Sequence, residues 1–516
     1  MILALFIVVV LGGKAQVIEH EWGEAIARST TNARSEFVFG KSATNDGLLM
    51  ARMTQWETAI SLSNYGTSLI TRVDPMGVQD TLFAVGARAH VLAVTSTVSA
   101  DYTMLRYTDT LMVGDSLLAI GQPWSPQEVI VATNPTTHEI LWIRHIDKMN
   151  DMQLFQNRLA VLCSDFGASV LRVLDGQNGQ ELDSIYVESV LVGHLDVDHS
   201  GSMYISGLVS AYDTVKVGTF NQYVGGTGLH VCALKVDTLG NGRWIKTSTD
   251  NTYGIPHILC DNRGSVWLTG DLFGPQIWGQ DTLEGSQWVY DFFLVRMDTS
   301  GNVLGAWETP NSQTLTGDYQ LASRQPLAAS DSSVILMLTN RGGVPFDGML
   351  PVGGSTNLQD RGITFLEYSD EYERGVTYNG GQGGYIQASG IASFDGGYQA
   401  LWGAGVSYSD SLDCSQSQVD LDSLYNDVFG VMRFTHIVGL PNSPQSGFGQ
   451  YIYPNPTSGA IQASRPWSAQ EQVIIYSALG RKVFDGNPAD WNNCAHEPGL
   501  YILQRSTGET YRFIVR

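Results

Sequence analysis

Apolar and polar residues alternate in short runs along this chain, and Asp, Gly, Asn or Ser interrupts them every few residues. That pattern predicts many short β-strands joined by tight turns. It is clearest in the middle of the chain. Residues 194–207 read HLDVDHSGSMYISG and residues 257–270 read HILCDNRGSVWLTG. Asp198 matches Asp261, Gly201 matches Gly264, Tyr204 matches Trp267 and Gly207 matches Gly270, an offset of 63 residues. A second element, CALKVDTLGNGRW at 232–244, recurs as FLVRMDTSGNVL at 293–304, with Asp237 matching Asp298 and Gly240 matching Gly301. Looser copies are LITRVDPMG at 69–77 and VLRVLDGQNG at 170–179.

Each copy is a strand, then Asp-x-x-Gly, then another strand. Asp suits the first position of a type I turn because its carboxylate accepts hydrogen bonds from the turn amides, and Gly tolerates a positive φ at the end. One period therefore carries two hairpins, or four strands. A four-stranded unit at constant spacing is the mark of a β-propeller blade. Seven units fit the span 32–440, at 32–86, 87–148, 149–189, 190–251, 252–317, 318–380 and 381–440. The expected fold is all-β, a seven-bladed β-propeller followed by a small β-sandwich.

Two of these units resemble the bacterial β-propeller repeat known as SBBP. The residues that carry the likeness are Asp261, Gly264, Trp267, Thr269 and Gly270, then Asp291-Phe292-Phe293-Leu294 and Trp307. The resemblance implies a propeller and no particular activity.

After residue 440 the pattern changes. Residues 441–450, PNSPQSGFGQ, form an uncharged linker. Residues 451–516 carry three ordered motifs: Tyr453, Pro454, Asn455, Pro456 and Gly459; then Ile475, Tyr476, Gly480 and Val483; then Gly499, Tyr501 and a terminal strand ending at Arg516. This module closely resembles the type A sorting domain of the type IX secretion system of Bacteroidota. Ala495 and His496 stand where that pattern usually has Leu. The resemblance implies an Ig-like sandwich, recognition by an outer-membrane translocon, and removal after transit with attachment of the passenger to the cell surface. At the other end, residues 2–11 are an unbroken apolar run followed by Gly12, Gly13, Lys14, Ala15 and Gln16. This reads as a signal peptide over 1–15, although no Lys or Arg precedes the run. Residues 16–31 are expected to be a separate N-terminal segment. No other apolar run reaches the length of a membrane span.

Composition narrows the function. Hydrophobic residues make up 43% of the 516-residue chain and charged residues only 16%, which supplies a core and argues against disorder. Fifty-one acidic residues against 29 basic ones give a net charge of −22. The sorting module carries +1 and Lys14 of the signal segment another +1, leaving −24 on residues 16–450. A field of that sign repels phosphate backbones, so nucleic acid is an unfavourable partner. The five cysteines are odd in number and widely spaced, which predicts neither a disulfide framework nor a zinc site.

Catalytic motifs are absent: there is no G-x-S-x-G, no H-E-x-x-H and no phosphate-binding loop. No cofactor is expected. Asp196 and Asp198 resemble the first half of a calcium loop, but Gly207 stands where Glu is needed, and Asp198 is already explained by its turn. The acidic stretch 408–427, with Asp410, Asp413, Asp420 and Asp422, is a second weak Ca2+ candidate and reads first as a solvated loop. His194 and His257 occupy equivalent repeat positions near the expected channel mouth. Strand alternation puts the Asp-x-x-Gly turns on one propeller face and the long connections 208–228, 271–289 and 406–427 on the other. Those connections carry Tyr212, Trp278, Trp288 and Tyr408, the expected ligand face. The sequence thus points to a secreted cell-surface binding or adhesion module for a glycan or protein, more a binder than an enzyme. An extracellular polysaccharide hydrolase or lyase and a ligand-free scaffold are the alternatives.

Overall fold

The computed structural model describes strands, turns and one short helix between Val9 and Val515. The longest segments outside the description are 1–8, 57–67, 309–319, 342–360, 437–451, 454–461 and 464–471, with shorter connecting stretches. The chain forms two compact units, one spanning Glu19–His436 with Met1–Leu5, the other Ile437–Arg516 with Phe6–Ile18.

The larger unit is all-β. Among the described residues, seven antiparallel sheets follow one another along the chain, the first six with their strands hydrogen-bonded in sequence order. They begin with the strands Ala33–Lys41, Ala89–Ser96, Met149–Phe155, Val190–Val197, His257–Cys260, Leu327–Ala329 and Tyr385–Ser393. Each of these first strands packs beside the next, and Tyr385–Ser393 packs beside Ala33–Lys41. They are the inner strands of a ring. In the seventh sheet the outermost strand is Ile18–Ser29, hydrogen-bonded to Asp427–His436. The N-terminal segment, expected to be separate, therefore completes the last sheet.

Both faces of a sheet are buried, so its central strands read as continuous apolar runs. In Arg158–Asp165, Leu159, Val161 and Cys163 join a core with the second sheet, while Ala160 and Leu162 join a core with the fourth. In Met203–Ser210, Met203, Ile205 and Val209 face back to the third sheet, while Tyr204 and Leu208 face the fifth. The period of two along each strand thus builds one core between every such pair of sheets. Cys163 and Cys232 are buried unbridged thiols, pushed up to about 11 and about 12 respectively by burial. Cys260 is also unbridged.

The Asp-x-x-Gly turns form as their chemistry demands. Gly201, Gly240, Gly264 and Gly301 each donate back to the carbonyl of the Asp three residues earlier. Those Asp carboxylates also accept from the turn amides, as Asp298 Oδ1 does from Ser300 and Asn302. Burial alone raises the Asp298 carboxyl, but these hydrogen bonds outweigh it and hold the group below the ordinary range. Its contribution to stability is therefore full above the unfolded carboxyl range and fades as pH falls through the lowered folded value.

The glycines of the second turn have a further role. A Cβ on Gly301 meets the Trp244 ring of the preceding sheet at 2.9 Å, and one on Gly179 meets the Trp142 ring at 2.7 Å. The same tryptophans donate through Nε1 into the next sheet's turn, Trp244 to Thr299 O and Trp142 to Gly176 O. By contrast, a Cβ on Gly264 finds nothing nearer than Thr299 Cγ2 at 3.6 Å. Both glycines have strongly positive φ, +82° and +81°. Gly264→Ala should therefore cost only the backbone penalty, about 1 kcal/mol, and Gly301→Ala about 1–2 kcal/mol more. Denaturant unfolding of both variants, and of Gly301→Ala with Trp244→Ala, checks this. Equal losses in the two single variants would remove the interlock.

The smaller unit has a four-stranded antiparallel sheet, in the spatial order Lys482–Gly486, Val473–Ser477, Gly499–Arg505, Thr510–Val515. A separate pair joins Ile452–Tyr453 to Gln462–Ala463. A short helix, Pro488–Asn492, was not expected; its Trp491 packs with Val473, Ile475, Tyr501 and Leu503. In the same unit, Val9–Leu11 pairs with Lys14–Gln16, across the end of the expected signal segment 1–15.

Candidate functional site

The long connections do not stand free above the ring. Each forms a β-hairpin that folds outward onto the preceding sheet. Thr110–Val113 and Ser116–Ile120 extend the first sheet through Val113 and Val85. Thr214–Val217 and Phe220–Tyr223 extend the third through Glu188 and Lys216. Ser411–Cys414 and Ser417–Asp420 extend the sixth through Asn379 and Asp413. Gln276–Trp278 and Asp281–Leu283 lie between the outer strands Gly242–Asn251 and Val303–Glu308. Radial sheets splay apart at the rim, and the hairpins cover the edge strands exposed there.

This corrects one residue of the expected ligand face, Trp278. Trp278 is 1% exposed and packs with Trp244, Leu283 and Phe293. Its ring centroid lies 5.9 Å from that of Phe293, and its Nε1 donates to the buried Gln276 Oε1 at 3.0 Å. It is core, because its hairpin lies in the wedge between two sheets. Tyr212 is 68% exposed, at φ +68° in the turn before its hairpin. Trp288 and Tyr408 lie outside the described residues.

Of the carboxylates considered for calcium, Asp196 and Asp198 are engaged by protein donors. Asp198 Oδ1 accepts from the Ser200 and Ser202 amides and the Ser200 hydroxyl, and Oδ2 from the Tyr204 hydroxyl. Asp196 Oδ1 accepts from the Val197 amide, and Oδ2 from the Cys260 amide of the next sheet. Asp413 and Asp420 sit on the two arms of one hairpin, and Asp410 and Asp422 lie outside the described residues. Among the described residues no cluster of His, Cys, Asp or Glu is arranged to hold a metal ion. Of the sorting motifs, Tyr453 pairs with Gln462, Gly499 opens a strand, and Tyr501 packs against Trp491 at 5.5 Å. Pro454, Asn455, Pro456, Gly459 and Gly480 lie outside the described residues.

The densest chemistry lies on the inner strands. The sixth sheet begins in two pieces, Gln320–Leu321 and Leu327–Ala329; Ala322 and Pro326 stay hydrogen-bonded to Met337 of the next strand, and Arg324 and Gln325 bulge out between them. There the Arg324 amide donates to Ser389 O of the seventh sheet. The Gln325 side chain accepts from the Phe39 amide of the first sheet at 2.7 Å. The Arg324 guanidinium meets His90 Nε2 of the second sheet. The first and second sheets are not neighbours of the sixth, so residues 324–325 reach across the middle of the ring. Arginine only donates, so His90 Nε2 is the acceptor in this contact.

Three more side chains complete the cluster. His194 and His257, on the fourth and fifth inner strands, stack with centroids 3.9 Å apart and planes at 24°. The Ser206 hydroxyl fixes the two strands, accepting from the His194 amide at 3.2 Å and donating to Pro256 O. His194 Nδ1 faces Asp151 Oδ2 of the third sheet at 3.5 Å. Asp151 is itself held by the Leu195 and Met152 amides. Burial, with the nearby His194 and Arg324, pushes the His257 imidazole well below its ordinary value, so it is neutral at pH 7. His194 keeps 30% of its side chain exposed. Five sheets thus bring one guanidinium, three imidazoles and one carboxylate to the axis. The repeat alignment pointed to His194 and His257. Nothing in the sequence signalled Arg324, His90 or Asp151, because they meet through ring closure.

No protein-family model and no curated protein matches the chain. Among solved structures it is similar to Kuenenia stuttgartiensis hydrazine synthase, at 10% identity and TM-score 0.41 over 73% of this chain and 94% of that one. It is also similar to the Dos1 propeller, at 9% identity and TM-score 0.34 over 82% and 95%, and to the phage phi92 endosialidase, at 9% and 0.39 over 97% and 89%. Likenesses this distant carry no activity to the chain. The sheets and their ring define an all-β repeat protein of the β-propeller type.

Proposed function

We propose that the chain is a secreted binding protein of the cell surface, a seven-bladed β-propeller delivered by a type IX sorting module. The seven successive sheets are its blades, and residues 451–516 its Ig-like export signal. The observation that supports a binding role is the axial cluster. Binding groups gain precision when a rigid scaffold holds them, and here five sheets supply them. The ligand, a glycan or a protein segment, enters at the axis, since Trp278 is withdrawn from the loop face. The first test is export. Deleting residues 451–516 should retain the passenger in the periplasm, and surface display of the truncated protein would refute the sorting role. The second is a glycan array on the full chain and on His194→Ala; binding undiminished by the substitution would move the site elsewhere.

One observation favours the second reading, an extracellular polysaccharide hydrolase or lyase. An imidazole oriented by a carboxylate, as His194 is by Asp151, is the arrangement of a general base. Release of reducing ends or unsaturated sugars from a bound polysaccharide would favour that reading over simple binding.

A further inference from the structure

We infer a second binding site, apart from the axis, where the hairpin Thr214–Tyr223 joins the fourth sheet, and that it takes a neutral hexose residue of a glycan. The residue that points to a ligand is His230. Its side chain is buried, with the residue 1% exposed. Its Nδ1 donates to Ser248 O at 2.7 Å, because a carbonyl only accepts. Its Nε2 is buried and has no hydrogen-bond partner among the described residues. Leaving a buried ring nitrogen so costs stability, and few native groups are left that way without a role. Residues 225–228, Gly-Gly-Thr-Gly, pass against this ring. A Cβ on Gly226 would stand 2.8 Å from His230 Cε1 and 2.9 Å from Nε2, so a side chain there would close the approach to that nitrogen. A Cβ on Gly225 meets nothing within 4 Å.

The loop hangs on Tyr212. The Ala211 amide donates to Gly228 O and the Tyr212 amide to Val224 O, so the loop closes on these two residues. All four residues 225–228 are exposed, and among the described residues their amides donate to no protein group. Three glycines and no internal hydrogen bond let the loop shift off His230. Tyr212 is 68% exposed and stands at φ +68°, a conformation that is unfavourable for an aromatic residue. Tyr223, next to Val224 on the other arm, is 59% exposed. A hexose has an apolar C–H face and a rim of hydroxyls. An exposed tyrosine ring covers such a face at low entropy cost. The free amides meet the hydroxyls, and a hydroxyl both donates and accepts, so it satisfies Nε2. With 51 acidic residues against 29 basic ones, the field of the chain opposes an acidic sugar and leaves a neutral one.

The test uses the full chain with the methyl glycosides of glucose, galactose and mannose, and with sodium glucuronate as the acidic probe. Binding is read by saturation-transfer NMR and calorimetry. At least one methyl glycoside should bind, and more tightly than glucuronate. Tyr212→Ala should weaken it about tenfold, and Tyr212→Phe by less than about twofold, since stacking needs the ring and not its hydroxyl. Gly226→Ala should weaken it by setting a Cβ against Nε2. His194→Ala should leave it unchanged, which separates this site from the axial one. Binding of none of the three glycosides would overturn the inference, as would tighter binding of glucuronate. Unchanged binding in Tyr212→Ala or in Gly226→Ala would overturn the site. A glycoside lost in His194→Ala and kept in Tyr212→Ala would do the same and place the sugar at the axis.

Discussion

Trp278→Ala should lower the stability of the larger unit by about 3–5 kcal/mol, the range for emptying a large aromatic from a packed core. The ring fills the wedge between the fourth and fifth sheets, against Trp244 and Phe293. Its loss leaves a cavity that rigid sheets cannot collapse. It also leaves the buried Gln276 Oε1 without its 3.0 Å donor. Tyr212→Ala is the paired control. That side chain is 68% exposed, and its removal should change stability by no more than about 0.5 kcal/mol. Thermal and denaturant unfolding of both variants measure the difference. A Trp278→Ala protein as stable as Tyr212→Ala would return Trp278 to the surface and reopen the loop face as a binding site.

The contrast between these two aromatics marks how far the sequence was legible. The Asp-x-x-Gly turns could be read because their chemistry is local. The carboxylate, the amides it accepts and the glycine at positive φ lie within five residues. The alternation that divides Leu159, Val161 and Cys163 from Ala160 and Leu162 is equally local. Trp278 was misread because its environment is not local. Its hairpin is short and polar-flanked like an exposed loop, and only docking between Gly242–Asn251 and Val303–Glu308 buries it. The axial cluster divides the same way. His194 and His257 shared a repeat position, whereas Arg324 belongs to a break in an inner strand, and its partner His90 is 234 residues away.

The largest effect is expected from the shortest change at the N-terminus. A chain that starts at residue 31 loses Ile18–Ser29, and with it the outer strand of the seventh sheet. Two consequences follow. Asp427–His436 becomes an unpaired edge of ten residues, open to pairing with another chain. The seventh sheet also loses the strand that comes from the opposite end of the array and runs on directly into Ala33–Lys41 of the first sheet, so packing between the two sheets is left to hold the seam. Each sheet buries its faces only against its neighbours, so an opened ring exposes two apolar faces at once. The truncated protein should unfold at markedly lower denaturant, with a broadened transition, and should associate with itself. Hydrogen exchange should rise first in Tyr385–Ser393 and Ala33–Lys41, the inner strands at the seam, and last in the third and fourth sheets. A synthetic peptide of residues 16–31 added in excess should restore protection at the seam, because it can re-pair with Asp427–His436. A truncated chain with an unchanged transition and even exchange would mean that packing alone closes the ring.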